Sequence, residues 1–239
     1  GHQAVETLLE AVYVAWFTGQ RELVDAIDRL AALPVAPEDR LLPMVRLLIS
    51  GLSVAIGRPA DAEELAKAFP EAVRAAGEDF RELLFACAVQ VVSGRDRQAQ
   101  ELVETLIPRT RALGLIAWLP NLLFVQAEAQ LAHGQHRDAA ATAEEASRIA
   151  EDAGLHQWPG QLSAVLAYLA AINGDDERCH ELTDPILAVP ADPGQPRARW
   201  ALGLLDLGRG RAVSALDRLA ELAAVHDGYG VSVTRSVPD

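Results

Sequence analysis

Two stretches place metal-ligating residue types side by side. Cys179, His180 and Glu181 follow Asp175, Asp176 and Glu177, and His133 and His136 flank Gly134 in "HGQH". Thiolate, imidazole and carboxylate are the donors a zinc site uses. Neighbouring residues on a helix point in different directions, so residues 179 to 181 cannot share one coordination sphere. The acids before them suit the first turn of a helix, where negative charge offsets the macrodipole. His133 and His136 read as residues of an exposed turn, since a metal there would need a third ligand and none is in sight. The sequence has no serine in a GxSxG elbow, no HExxH pair and no GxxxxGK[ST] phosphate loop. Its 34 acidic residues fall near arginines, as in "EELAKAFPEAVR", in the manner of solvated helix faces. The expectation is a non-enzymatic chain that holds no metal and no cofactor of its own.

A second set of residues could recognise a ligand without reacting with it. Trp118 and Trp158 each stand sixteen residues before a glycine, Gly134 and Gly174, and each is followed closely by a proline, Pro120 or Pro159. Asn121, Gln126, Glu128 and Gln130 interrupt the apolar run "LPNLLFVQAEAQLA"; Gln161, Tyr168, Arg199 and Asp206 do the same further on, and Trp200 adds a third indole in a different register. Tryptophan buries a large area, so packing between neighbouring elements is one account of the indoles. The other is an aromatic wall flanked by polar groups, the usual lining of a binding cleft. On that account the candidate effector or partner residues are Trp118, Asn121, Glu128, Trp158, Gln161, Tyr168, Arg199 and Trp200.

The elements that must carry these residues follow from the glycines. "FTGQRELVDAI", "AIGRPADAEEL", "VSGRDRQAQEL", "AHGQHRDAAAT", "INGDDERCHEL" and "GRGRAVSALDRL" align on Gly19, Gly57, Gly94, Gly134, Gly174 and Gly210, at spacings of 38, 37, 40, 40 and 36 residues. Five positions after each stand Val24, Ala62, Ala99, Ala139, Cys179 and Ala215; seven before stand Val12, Ser50, Cys87, Ala127, Ala167 and Gly203. Glycine accepts the left-handed corner at which one helix ends, and small residues let the next helix pack closely against it. Within each segment apolar residues recur at three- and four-residue spacing, as in "LVETLIPRTRALGL". A period of this length holding two helices is the mark of a helical repeat array. The pattern predicts an all-α chain, an α-α solenoid of about six helical hairpins. Its twelve helices fall near 3–18, 21–33, 38–56, 59–76, 79–93, 96–113, 116–133, 136–153, 157–173, 176–189, 195–209 and 211–225. Residues 1–226 then form one repeat domain, and 227–239 an irregular tail leading to a further segment. First helices of such arrays line the concave face, where the candidate residues would lie.

The turn glycines and the small residues around them resemble degenerate tetratricopeptide repeats. A narrower resemblance covers residue 80 to the end. "RALGLIAWLPNLLFVQAEAQLAHGQHRDAAATAEEASRIAEDAG" and "RARWALGLLDLGRGRAVSALDRLAEL" are similar to the helical-repeat region of large ATP-binding transcriptional regulators of the LuxR family. In that family a nucleotide-binding module precedes the repeats and a DNA-binding helix-turn-helix follows them. The resemblance therefore implies an effector-sensing or protein-interaction region, with a small-molecule inducer or a protein partner on the concave face. ATP is implied only for the N-terminal module of the parent. The alternative is a generic tetratricopeptide-like scaffold for protein–protein interaction.

Composition bounds the rest. Half the 239 residues are apolar and only 5% aromatic, enough for a sizeable core and in keeping with helix. A net charge of −13 argues against direct nucleic-acid binding. Cys87 and Cys179 stand far apart without a CxxC pattern, which fits a reducing, cytoplasmic setting. No apolar run matches a membrane span. Gly1 and His2 read as a tag remnant on an excised piece of a longer chain, whose end hairpins would favour self-association at the C-terminal end.

Overall fold

A computed structural model of the chain describes residues 2–18, 20–55, 58–59, 61–190 and 192–229. The described residues form twelve α-helices and no strand: α1 (His2–Thr18), α2 (Gln20–Ala32), α3 (Leu42–Ala55), α4 (Ala62–Ala76), α5 (Phe80–Val92), α6 (Asp96–Ala112), α7 (Leu119–Ala132), α8 (His136–Asp152), α9 (Pro159–Ile172), α10 (Asp176–Ala188), α11 (Gln195–Gly208) and α12 (Ala212–Tyr229). The chain is all-α, as the glycine period predicts. The corners at Gly19 and Gly57 and residues 230–239 of the expected tail lie outside the described residues.

Three helix starts fall three or four residues after the sequence expectation, α4 at its Asp61 cap and α3 and α7 for other local reasons. Asp39 folds back so that its Oδ1 accepts from the Leu41 N–H at 3.0 Å, a turn that delays α3 to Leu42. Residues 116–118 form a single 3-10 turn, and α7 begins only at Leu119, with Pro120 fixing φ in its first turn. Elsewhere aspartates set the starts. Asp61 and Asp79 cap α4 and α5, and the Asp175 carboxylate accepts from the Arg178 N–H at 3.1 Å at the head of α10. At the far end of the chain α12 continues to Tyr229, four residues past its expected end at 225.

The corners close as the period requires. Gly134, Gly174 and Gly210 have φ of 70°, 70° and 73°. The residue after each donates back to the carbonyl five residues earlier: Gln135 to Gln130 at 2.8 Å, Asp175 to Ala170 at 2.9 Å, and Arg211 to Asp206 at 2.8 Å. A second glycine series, Gly77, Gly114 and Gly154, follows α4, α6 and α8 at positive φ, so both helices of the third and fourth hairpins end at a glycine. Most of the small residues lie at the crossings, although Ala62 is exposed and Val24 and Ser50 are only half-buried. Ala99, Ala139, Cys179 and Ala215 are fully buried, as are Cys87, Ala127 and Ala167. A Cβ on Gly203 would sit 3.1 Å from the Leu219 side chain, which shows how closely α11 and α12 approach.

The chain divides into two compact units, residues 1–99 and 100–228. In the first, α3 packs on α2, α4 and α5. In the second, α9 is central and packs on α8, α10 and α11. Its core alternates alanine and leucine: Ala127, Leu131, Ala139, Ala143, Val165 and Leu169 form one cluster, and Ala167, Ala170, Ala171, Cys179, Ala201, Leu202 and Leu205 the next. No described helix is long and apolar enough to cross a membrane.

Candidate functional site: the first-helix face of residues 100–228

Positions are compared most simply by their offset from the corner glycine of the same hairpin. Asn121, Gln161 and Arg197 all stand thirteen residues before it, and Glu128, Tyr168 and Leu204 six before it. Offsets seven residues apart share a helix face. This face of α7, α9 and α11 therefore carries a polar row through three consecutive hairpins.

At its centre lies an ion pair that passes over one whole hairpin. The Arg197 guanidinium of α11 donates to Glu128 Oε2 of α7 at 2.6 Å, although 69 residues separate them. Both side chains are largely withdrawn from solvent, 16% and 11% exposed. Tyr168 of the intervening α9 packs against the apolar clusters on both sides. Burial raises the Tyr168 phenol above its usual range; Glu128 adds to that and Arg197 opposes it, which places the hydroxyl within the field of the pair. Four buried polar atoms of this unit's first helices have no protein partner: the second oxygen of Glu128, the Gln161 amide nitrogen, the Gln130 amide oxygen and the Trp200 indole nitrogen; on α5 the same holds for Glu82 Oε2 and both amide atoms of Gln90, which stands at the offset of Gln130. Gln161 is only 6% exposed. Most buried polar groups are satisfied, so Glu128 Oε1 and the Gln161 amide nitrogen, which share the face of the ion pair, call for an explanation.

The other half of the chain supplies an internal comparison. Arg81 of α5 also stands thirteen residues before its glycine, Gly94, and also reaches back over one hairpin, to Glu10 of α1. Both partners there are 48% exposed. Beneath that strap the equivalents of Gln161 and Tyr168 are Met44 and Gly51, both buried, so these two positions of the intervening helix are apolar. The arginine strap thus recurs in the fold, whereas Gln161 and Tyr168 replace Met44 and Gly51 beneath it in residues 100–228.

The sequence-predicted residues separate into three groups. Glu128, Tyr168 and Gln161 belong to this face, and Asn121 holds the matching register in α7, where it is buried. Trp158 is core: it is 2% exposed, and its ring lies 5.5 Å from that of Phe124 at a 49° tilt. Trp118, at the same offset one repeat earlier, is half-buried in the 3-10 turn beside exposed Ile116 and Leu113. Trp200 is half-buried with an unpartnered indole N–H. Arg199 meets Glu221 of α12 at 4.0 Å. The arginine that sequence reading overlooked is Arg197, and its signal is the offset it shares with Asn121 and Gln161.

The remaining candidates have local partners. Cys179 is fully buried, and desolvation followed by the nearby acids pushes its thiol up to about 11. The Nδ1 of His180 pairs with the Asp176 carbonyl at 2.9 Å, Glu181 pairs with Arg178, and His133 meets Gln100 Oε1 at 2.8 Å. Among the described residues no three metal-ligating side chains converge. Asp206 ties α11 to α12: Arg211 Nε, the Ser214 hydroxyl and Arg218 Nε donate to it at 2.7, 2.7 and 2.9 Å. Burial opposes its charge, but the three donors together outweigh burial and hold the carboxyl below its usual range.

Fold and face define a class, an all-α chain of helical hairpins carrying a polar first-helix row. Comparison with known proteins finds no matching family model, no similar curated protein and no similar solved structure.

Proposed function

We propose that residues 100–228 are a non-enzymatic recognition region, and that the hairpins continue as one α-α solenoid whose first helices face the bound species. The observation that carries this reading is the pair of unpartnered buried atoms on the face of the Glu128–Arg197 pair, Glu128 Oε1 and the Gln161 amide nitrogen, with Gln161 and Tyr168 standing where residues 1–99 have buried Met44 and Gly51. A small polar effector would complete the hydrogen bonds of Gln161 and Glu128, while Tyr168 and its aliphatic neighbours supply contact area. Because Glu128 and Arg197 sit two hairpins apart, a ligand engaging either one would bear on the packing of α7, α9 and α11 together. That is how a sensing region would pass on its state. The resemblance to LuxR-type regulators extends the reading to a cytoplasmic transcriptional regulator, whose nucleotide-binding and DNA-binding functions belong to other modules of the parent.

A thermal-shift screen of polar metabolites against the wild type and Gln161→Leu tests it. The reading expects a compound that raises the midpoint of the wild type and leaves Gln161→Leu unmoved. Exposed Leu113 and Ile116 beside Trp118 favour a second reading, a scaffold that docks proteins at the turn before α7. That reading gains if no metabolite binds and Leu113→Glu abolishes capture of a stoichiometric protein partner.

A further inference from the structure

The sixth hairpin breaks the burial pattern of the two before it. Three residues before the corner glycine stand Leu131, Ala171 and Leu207. Leu131 and Ala171 are 5% and 6% exposed, and the cluster holding each includes residues of the next first helix: Val165 and Leu169 in one case, Ala201, Leu202 and Leu205 in the other. Leu207 is 50% exposed. Six residues after the glycine, Ala140 packs against the cluster that contains Val165 and Leu169, whereas Leu216 is 67% exposed. Val213, one turn before Leu216, is 76% exposed. Trp200 occupies the offset of Phe124, whose ring meets Trp158 of the following first helix. Leu207, Leu216, Val213 and Trp200 thus present a face that, in the interior hairpins, is built to take a helix.

Charge selects the occupant. The chain as a whole carries −13, so two copies repel one another over most of their surface. Residues 199–221 carry four arginines against three acids, which makes this end the place where two copies can meet without that repulsion. Asp206 absorbs two of those arginines, Arg211 and Arg218, within the chain. Arg199 and Glu221 remain at the rim, 4.0 Å apart and both well exposed. A two-fold axis through the face would set the arginine of one copy near the glutamate of the other, the self-complementary arrangement of an isologous interface.

We propose that this face of α11 and α12 pairs with the same face of a second copy of the chain. Sedimentation equilibrium of the whole chain tests it. The mass should rise with concentration from 25.6 kDa toward twice that value. Leu207→Glu and Leu216→Glu should each raise the dissociation constant at least about tenfold, as loss of a central apolar contact does. Both residues are exposed, so the variants should keep the wild-type helical circular dichroism. Leu113→Glu and Val189→Glu, at exposed apolar positions elsewhere, should leave the dissociation constant unchanged. A monomer at every concentration would overturn the proposal, whether residues 230–239 or a different protein covers the face. So would dimers that survive both glutamates, or that the two control variants weaken equally.

Discussion

The Glu128–Arg197 pair offers the sharpest test of the described packing, because its two ends are not equivalent. Removing one partner of a buried pair leaves the other charge unpaired, at about 3–5 kcal/mol for full burial. Glu128 is the more withdrawn, 11% exposed, and its second oxygen already lacks a partner. Arg197→Met keeps the aliphatic stem but strips the carboxylate of its one ionic contact, so about 3 kcal/mol is expected, the lower end of that range. Glu128→Gln leaves a guanidinium with somewhat more access to water and an amide oxygen that can still accept, so about 1–2 kcal/mol is expected on the scale of a hydrogen bond to a charged group. For a chain of this size 3 kcal/mol corresponds to a fall in melting temperature of about 6–12 °C. Urea unfolding of the wild type, both single variants and the double variant gives the coupling energy, expected near 2 kcal/mol because contacting residues are not additive. Tryptophan fluorescence in a Trp16→Phe background, where the remaining indoles all lie in residues 100–228, keeps the measurement on the unit that holds the pair. Two independent costs that simply add would refute the claim that α11 reaches across α9 to α7, as would an Arg197→Met variant as stable as the wild type.

Other expectations can be checked beside it. Trp158→Ala should cost about 3–5 kcal/mol, the range for a buried aromatic, while Trp118→Ala should cost well under half of that; equal losses in denaturant titration would contradict the different burial of the two. Gly51→Ala should destabilise by about 1–3 kcal/mol, because a Cβ there collides with the Val89 side chain; a neutral result would show that α3 and α5 are farther apart. The Asp206 carboxyl lies below its usual range when folded, so its contribution is present above the unfolded value and lost as pH falls through the lower folded one. An acid titration of stability should therefore be shallower for Asp206→Asn in that window, and a parallel curve would argue that the carboxylate is unpaired. Glu82 titrates oppositely. Burial raises it despite Arg40, so the stabilisation it gives is full below the unfolded value and is lost as pH rises through the folded one; Glu82→Gln should be at least as stable as the wild type at neutral pH. With neither a phosphate loop nor a basic face, the chain should not retard duplex DNA at moderate salt or take up ATP in calorimetry.

Much of the fold was legible because it rests on local rules. Glycine supplies the corner, a small residue the crossing, and proline or aspartate the helix start; each acts within a few residues of chain, so helix limits could be read closely. Where the reading slipped, the cause was equally local. "PEDR" looks helical by composition but is held as a turn by Asp39, and "GLIAWLP" divides because Pro120 marks the true first turn of α7. The second glycine series was overlooked, although Gly114 and Gly154 follow Gly94 and Gly134 at a constant twenty residues and could have fixed the second helices as firmly as the first.

Which side chains meet across hairpins is a different kind of information. A sequence period gives each residue its offset, hence its face, but the rotation of one hairpin on the next is set by how core volumes fit. That rotation decides whether the polar residue at minus thirteen looks at its neighbour or reaches past it. Sequence reading therefore chose Arg199 and passed over Arg197, and two equivalent tryptophans seemed a pair, whereas Trp158 is buried with Phe124 and Trp118 sits half-exposed at a turn. One signal did survive in the sequence. Arg81 and Arg197 share the same offset, three hairpins apart, and each closes on an acid two hairpins back. A strap repeated at a fixed offset belongs to the architecture, so it cannot by itself mark a binding site. What differs is the helix beneath it, Met44 and Gly51 in one unit and Gln161 and Tyr168 in the other. Function is therefore to be sought in that difference. Gln161→Met and Tyr168→Phe, which make the second strap resemble the first, should preserve or raise stability while removing whatever recognition residues 100–228 provide.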